Sequence, residues 1–112
     1  DARYTSISAK QLNNIRTQME RFPSGFSNWA QAVIPRVFPC YEIAITGPDA
    51  IRLREEFTPH YLPNRLFMGT TTRSALPLLQ EKSLGASTIF VCENKVCRRP
   101  VTTVAEALKL ME

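Results

Sequence analysis

Hydrophobic positions change their spacing once along the chain, near Pro39. Before it, Leu12, Ile15, Met19 and Phe22 recur at intervals of three and four residues, the stripe of an amphipathic helix. Ser8 stands where an N-cap would, and Pro23-Ser24-Gly25 ends the run. A second stripe follows at Phe26, Trp29, Val33 and Val37, which predicts an antiparallel helical hairpin joined by a short turn. Pro35 removes a helix donor and should kink or shorten the second helix. Two such helices cannot bury all their aromatic and aliphatic surface on each other, so they call for a further surface to pack against.

From Tyr41 onward, short β-rich runs alternate with helical ones, the pattern of βαβ units. Tyr41 to Thr46 reads as a strand, broken by Gly47 and Pro48. Asp49 to about Phe57 reads as a helix, with Pro48 at a tolerated early position and Asp49 near the positive end of the helix dipole. Leu53, Phe57 and Tyr61 are its expected buried face. Pro59 and Pro63 close that segment, and Arg65 to Thr70 is the second strand. Ser74 to Lys82 reads as a short helix, with Pro77 in its first turn and Gly85 at the reversal beyond it. Thr88 to Glu93 is the third strand.

Asn94-Lys95 separates Ile89-Phe90-Val91-Cys92-Glu93 from Val96-Cys97-Arg98-Arg99-Pro100-Val101, which predicts a two-residue hairpin lacking the Gly of the best turn sequences. Pro100 confines the returning strand to an edge. Thr103-Val104-Ala105-Glu106 matches a capping box, and Val104, Ala107, Leu108 and Met111 give the terminal helix one apolar face. The fold class expected from these elements is α/β. Residues 1–39 form a helical hairpin; residues 40–112 form a small three-layer βαβαβ domain with a mostly parallel sheet, a C-terminal β-hairpin and a helix.

Composition agrees with a folded chain of modest size. At 112 residues and 44% hydrophobic, there is material for one small core and too little for two independent ones. The densest apolar run, Ala75 to Leu79, is far shorter than the ~18 residues of a membrane span, so no membrane partner is expected. A cytoplasmic setting is the working expectation, on which the start at Asp1 without a basic-then-apolar leader has little bearing. A net charge of +4 invites a nucleic-acid reading, but the charge is dispersed. Residues 1–40 set Arg3, Lys10, Arg16, Arg21 and Arg36 against Asp1 and Glu20; residues 41–112 are almost neutral, with tight pairs only at Arg52/Arg54 and Arg98/Arg99. Counterion release needs clustered cations, so no nucleic-acid partner is expected.

Candidate chemistry is sparse. Neither GxGxxG nor GxxxxGK[ST] occurs, and Gly47 stands alone after the first strand. His60 is the single histidine, placed at a helix end where a cation complements the dipole. Cys92 and Cys97 are the sharper pair. With Asn94 and Lys95 in the loop, Glu93 pairs with Val96 and Cys92 faces Cys97 at a non-hydrogen-bonded position, within disulfide reach. The pair is either a redox couple or two small thiols buried on a strand. The second reading is the plainer, because the spacing is not CxxC and no helix N-terminus follows to activate a thiol. Two thiols alone do not make a zinc site, so neither metal nor cofactor is expected. A third candidate is positional. Ligands of open α/β sheets sit beyond the carboxyl ends of the strands, which here means Gly47 and Asp49 after the first strand and Thr70, Thr71 and Arg73 after the second. Such a set could take a small anion or sugar phosphate, although a polar loop with a helix cap explains the same residues.

Three blocks carry a family resemblance: Phe22-Pro23-Ser24-Gly25-Phe26, Tyr41-Glu42-Ile43-Ala44-Ile45-Thr46-Gly47-Pro48, and the run from Thr88 through Cys92-Glu93-Asn94-Lys95-Val96-Cys97 to Pro100-Val101. In this order, over about residues 8–112, they resemble the C-terminal end of the spermatogenesis-associated protein 20 family and its bacterial relatives. The resemblance implies a three-part polypeptide: an N-terminal thioredoxin-like domain, a middle α/α toroid similar to six-hairpin glycosidases and sugar epimerases, and a small C-terminal α/β part. On that basis residues 1–39 would be the last helices of the toroid, and residues 40–112 a non-catalytic accessory domain. Its partners would be the toroid and thioredoxin-like domain of the same polypeptide, and self-association of the fragment through Phe22, Phe26 and Trp29 is a further expectation. Cys92 and Cys97 match cysteine positions of the family, whereas Lys95-Val96 and Arg98-Arg99 differ from its aromatic and Gln-rich versions.

Overall fold

A computed structural model describes residues 2–82 and 85–112. The chain divides at Pro39, where the periodicity changes, into two units, Asp1–Pro39 and Cys40–Glu112.

The first unit is helical: α1 (Ala2–Arg21), a 3₁₀ turn over Pro23–Phe26, and α2 (Ser27–Val37). The stripe anticipated from Leu12 to Met19 faces α2, with Leu12 buried and Ile15, Met19 and Val33 half-buried. Ser8 does not cap α1, which begins six residues earlier. Ser8 instead lies inside the helix, and its hydroxyl accepts from Arg36 of α2 at 3.0 Å. The same guanidinium reaches the Thr5 carbonyl at 3.2 Å and so ties the two helices together. α2 runs through Pro35 and ends at Val37, the last residue of the expected stripe, where the Phe38 N–H donates to the Ile34 carbonyl at 2.9 Å.

The second unit is built on a sheet of β1 (Tyr41–Thr46), β2 (Arg65–Thr70), β3 (Thr88–Glu93) and β4 (Val96–Cys97), with α3 (Ala50–Glu56) and α4 (Val104–Lys109). The α/β class holds. The sheet is mixed, however, and not mostly parallel: its order is β2-β1-β3-β4, β1 pairs with β2 in parallel, and both β1/β3 and β3/β4 are antiparallel. The reason lies in the connections. Between β1 and β2 the chain makes a crossover through α3, which packs against both strands. Between β2 and β3 the described residues form only turns, so the chain arches over the end of β1 and returns in the opposite direction.

Those turns replace the helix expected over Ser74 to Lys82. Leu79 and Gln80 both donate to the Leu76 carbonyl at 2.8 Å, Lys82 donates to Leu79 at 3.3 Å, and Glu81 adopts a positive φ of 62°. Pro77 supplies no backbone donor and biases Leu76 away from helical angles, which is sufficient to stop a helix this short.

Side chains alternate across the pleat. Tyr41, Ile43 and Ile45 of β1 and Ile89 and Val91 of β3 meet Leu53, Phe57, Val104 and Ala107 in one core. Both α3 and α4 therefore cover the same face of the sheet. The opposite face carries Ala44, Thr46, Phe90 and Cys92, and over it lies the turn segment, with Leu79 buried and the Lys82 ammonium 5.0 Å from the Phe90 ring centre. The third layer of the expected sandwich is thus irregular chain. Tyr61 does not join the core; α3 ends at Glu56 and Tyr61 is 91% exposed.

The last helix is capped as its sequence predicts. Thr103, in extended backbone, accepts the Glu106 N–H at 3.3 Å, and its hydroxyl donates to the Glu106 carboxylate at 2.9 Å. This hydrogen bond, backbone N–H groups of Thr102 and Thr103 and the charge of Arg99 hold the Glu106 carboxyl below its ordinary pKa, against a smaller opposing effect of burial. Thr103→Ala should cost about 1 kcal/mol, read from hydrogen exchange of the α4 amides. A carboxylate with a lowered folded pKa adds stability that is complete above its unfolded value and lost as pH falls through the folded one. The difference between wild type and Thr103→Ala should therefore be full at neutral pH and shrink below about pH 4. A difference independent of pH would show that the carboxylate takes no part in the cap.

Candidate functional site

Three groups of residues merit placement on this scaffold: the strand-end set, the lone histidine and the cysteine hairpin.

The strand-end residues do not converge. Gly47 ends β1 and donates its N–H to the Thr70 carbonyl at 3.1 Å. Asp49 binds within the protein: the Ser87 hydroxyl donates to its carboxylate at 2.9 Å and accepts its N–H at 2.8 Å, and Arg52 stands 3.6 Å away. Thr70 turns its hydroxyl to the Thr72 carbonyl at 2.7 Å. Thr70 and Thr71 line a shallow cavity with Ile51 and Arg54, whereas Arg73 lines a different one with Gln80 and Lys82. The set proposed for an anion is thus split between two depressions, with Asp49 engaged in closing the loop over β1. Sequence reasoning missed Ser87, for which only its place before a strand gave any signal.

His60 is exposed one turn beyond α3, its backbone N–H bonded to the Phe57 carbonyl at 3.0 Å. It lines a depression with Arg54, Thr58 and Leu62.

The hairpin has the register deduced from its two-residue loop: Glu93 pairs with Val96 and Cys92 with Cys97. Asn94 and Lys95 both take positive φ, 51° and 68°, the geometry of a type I′ turn. The ladder resumes after Pro100, where Ile89 and Val101 exchange hydrogen bonds of 2.7 and 3.0 Å. At the paired position Cys92 and Cys97 are joined by a disulfide, with Cα atoms 3.8 Å apart. The plainer expectation of two buried thiols therefore gives way. Cys92 is buried, but Cys97 lies on the sheet edge and is exposed. Cys40 is free and half-buried.

Cations gather on the Cys97 side. Lys82 approaches Cys97 Sγ with its Nζ at 3.8 Å, and Lys95 sits at the turn. Glu42, Pro77, Leu78, Lys82 and Lys95 enclose an open cavity of about 310 Å³ beside Cys97. Arg98 and Glu93 belong to the other face, where Arg98 reaches the Tyr41 hydroxyl at 3.3 Å and Glu93 at 3.9 Å. Lys82 was not singled out by the sequence, because it stands 15 residues from Cys97 and meets it only through the turn segment. Lys95, between the cysteines, was legible as a neighbour.

Among the described residues, no group of three His, Cys, Asp or Glu is placed to hold a metal ion, and no helix is long and apolar enough to cross a membrane. Compared with known protein families, curated proteins and solved structures, the chain matches none.

Proposed function

We propose that the chain is a non-catalytic C-terminal accessory part of a multidomain thioredoxin-like protein, in which residues 1–39 end a helical toroid and residues 40–112 form the accessory α/β domain. The observation that carries this reading is the apolar surface of the helical unit. Phe22, Val37 and Phe38 are 67%, 66% and 61% exposed, and Trp29 is also exposed. In the unit's described helices only Leu12 is buried, and it keeps 9% of its surface exposed. Apolar exposure on this scale marks a surface made for a partner. The remaining helices of the same polypeptide are the partner that the sequence resemblance supplies. Carbene footprinting of the 112-residue chain and of the whole polypeptide tests this. Phe22, Trp29, Val37 and Phe38 should label strongly in the first and several-fold less in the second. Equal labelling would remove the basis for the accessory reading.

A second reading is favoured by the Cys92–Cys97 bond, namely that the hairpin is a thiol–disulfide couple serving a thioredoxin-like partner. The two readings separate in a Cys92→Ser, Cys97→Ser double variant. An accessory role alone predicts a change only in stability. A redox role predicts loss of electron exchange with thioredoxin-like proteins.

A further inference from the structure

The two sulfurs of the hairpin are not equivalent. Cys92 is fully buried on β3, which is flanked by β1 and β4, whereas Cys97 is exposed on the edge strand. Thiol–disulfide exchange needs a thiolate to reach one sulfur, and accessibility selects it. Beside Cys97 lies the open cavity of Glu42, Pro77, Leu78, Lys82 and Lys95, large enough for part of a small peptide. Its cations outnumber its single carboxylate, and the Lys82 ammonium contacts the sulfur at 3.8 Å. An approaching thiolate and any carboxylates it carries would both be attracted there.

The geometry points to Cys97 as the sulfur attacked by a small anionic thiol of the glutathione class, with Lys82 guiding the sulfur and Lys95 the carboxylates. This rests on the redox reading of the hairpin. In the first step the small thiolate forms a bond to Cys97 Sγ and the Cys92–Cys97 bond breaks. The electron pair leaves on Cys92, which takes a proton from solvent. A second small thiolate then attacks the sulfur of the first. The small disulfide departs and Cys97 is released as a thiolate facing Lys82. Two small thiols are oxidised to one disulfide while the protein disulfide is reduced to a dithiol, and the reverse sequence reoxidises the hairpin.

The experiment mixes the oxidised 112-residue chain with reduced glutathione or with neutral 2-mercaptoethanol, quenches with acid, alkylates, and counts reduced cysteines by mass spectrometry. Each variant is compared with wild type for each thiol, which cancels the thiols' own reactivities. Lys95→Gln should slow glutathione by about three- to tenfold and leave 2-mercaptoethanol nearly unchanged. Lys82→Gln should slow both, since it faces the reacting sulfur. Lys95→Gly guards against a folding artefact, because Asn-Gly is the preferred type I′ turn and removes the charge while strengthening the hairpin. It should show the same selective loss. In Cys92→Ser, oxidised glutathione should add to Cys97.

Reduction by both thiols with no selective loss in either Lys95 variant would overturn the anionic-thiol assignment while leaving the redox reading standing. If neither thiol reduces the disulfide until urea unfolds the protein, the redox reading falls and this assignment falls with it.

Discussion

Replacing Gly47 with alanine should destabilise the α/β unit by about 3 kcal/mol or more. Gly47 has φ +106°, and a Cβ built there would lie 2.6 Å from the Ser87 Cα and 2.9 Å from the Ser87 nitrogen. Both are backbone atoms, so no side chain can swing aside. Backbone strain of this kind costs about 1–3 kcal/mol before any clash is counted. Relief requires the β2–β3 connection to lift from the end of β1, and that breaks the paired hydrogen bonds of Asp49 and Ser87. Hydrogen exchange of the β1 amides is the suitable readout, because it reports the α/β unit without the helical one. Gly25→Ala is the control, as no atom lies within 4 Å of a Cβ placed there. A Gly47→Ala protein with wild-type protection of β1 would mean that Ser87 does not hold this close approach.

Phe57→Ala should cost a similar amount, about 3–5 kcal/mol, for a different reason. Phe57 follows α3 and is 1% exposed, and its ring lies 5.1 Å from that of Phe67 on β2 at a 60° tilt. It belongs to the one apolar cluster that joins the sheet to α3 and α4. Truncation removes the transfer free energy of a benzyl group and leaves a cavity that the short helix cannot close without moving off the strands. Small domains are stable by only about 5–15 kcal/mol, so the variant should approach the threshold of folding at room temperature. Phe57→Leu should lose less, since it keeps part of the volume. The same exchange measurement decides: if Phe57→Ala retains full protection in β1 and β3, the core is organised around other side chains.

The two effects lie at different distances from the sequence. Phe57 was legible because it falls on the apolar stripe of a predicted helix, and helix periodicity is a local property. The cost at Gly47 was not, since its cause is Ser87, 40 positions away in the chain and brought close only by the arch over β1. The candidate site divides in the same way. The register of Cys92 against Cys97 follows from two residues of turn, whereas Lys82 reaches Cys97 through a segment expected to be helical that forms turns. Turns with Pro77 and the positive φ of Glu81 stand where a short helix was expected over Ser74 to Lys82.

What the amino-acid sequence determined by itself was therefore whatever depends on neighbours within one turn or one hairpin. The limits of Tyr41–Thr46, Arg65–Thr70 and Thr88–Glu93, the Thr103 cap and the pairing across Asn94-Lys95 all belong here. The tertiary structure alone decided the direction of β3, the placement of both helices on one face, the irregular cover on the other, and the approach of Lys82 to Cys97. Each of these depends on which end of the sheet the chain returns to after β2. That choice is made by long-range burial and loop closure, which leave no period in the residues that carry them.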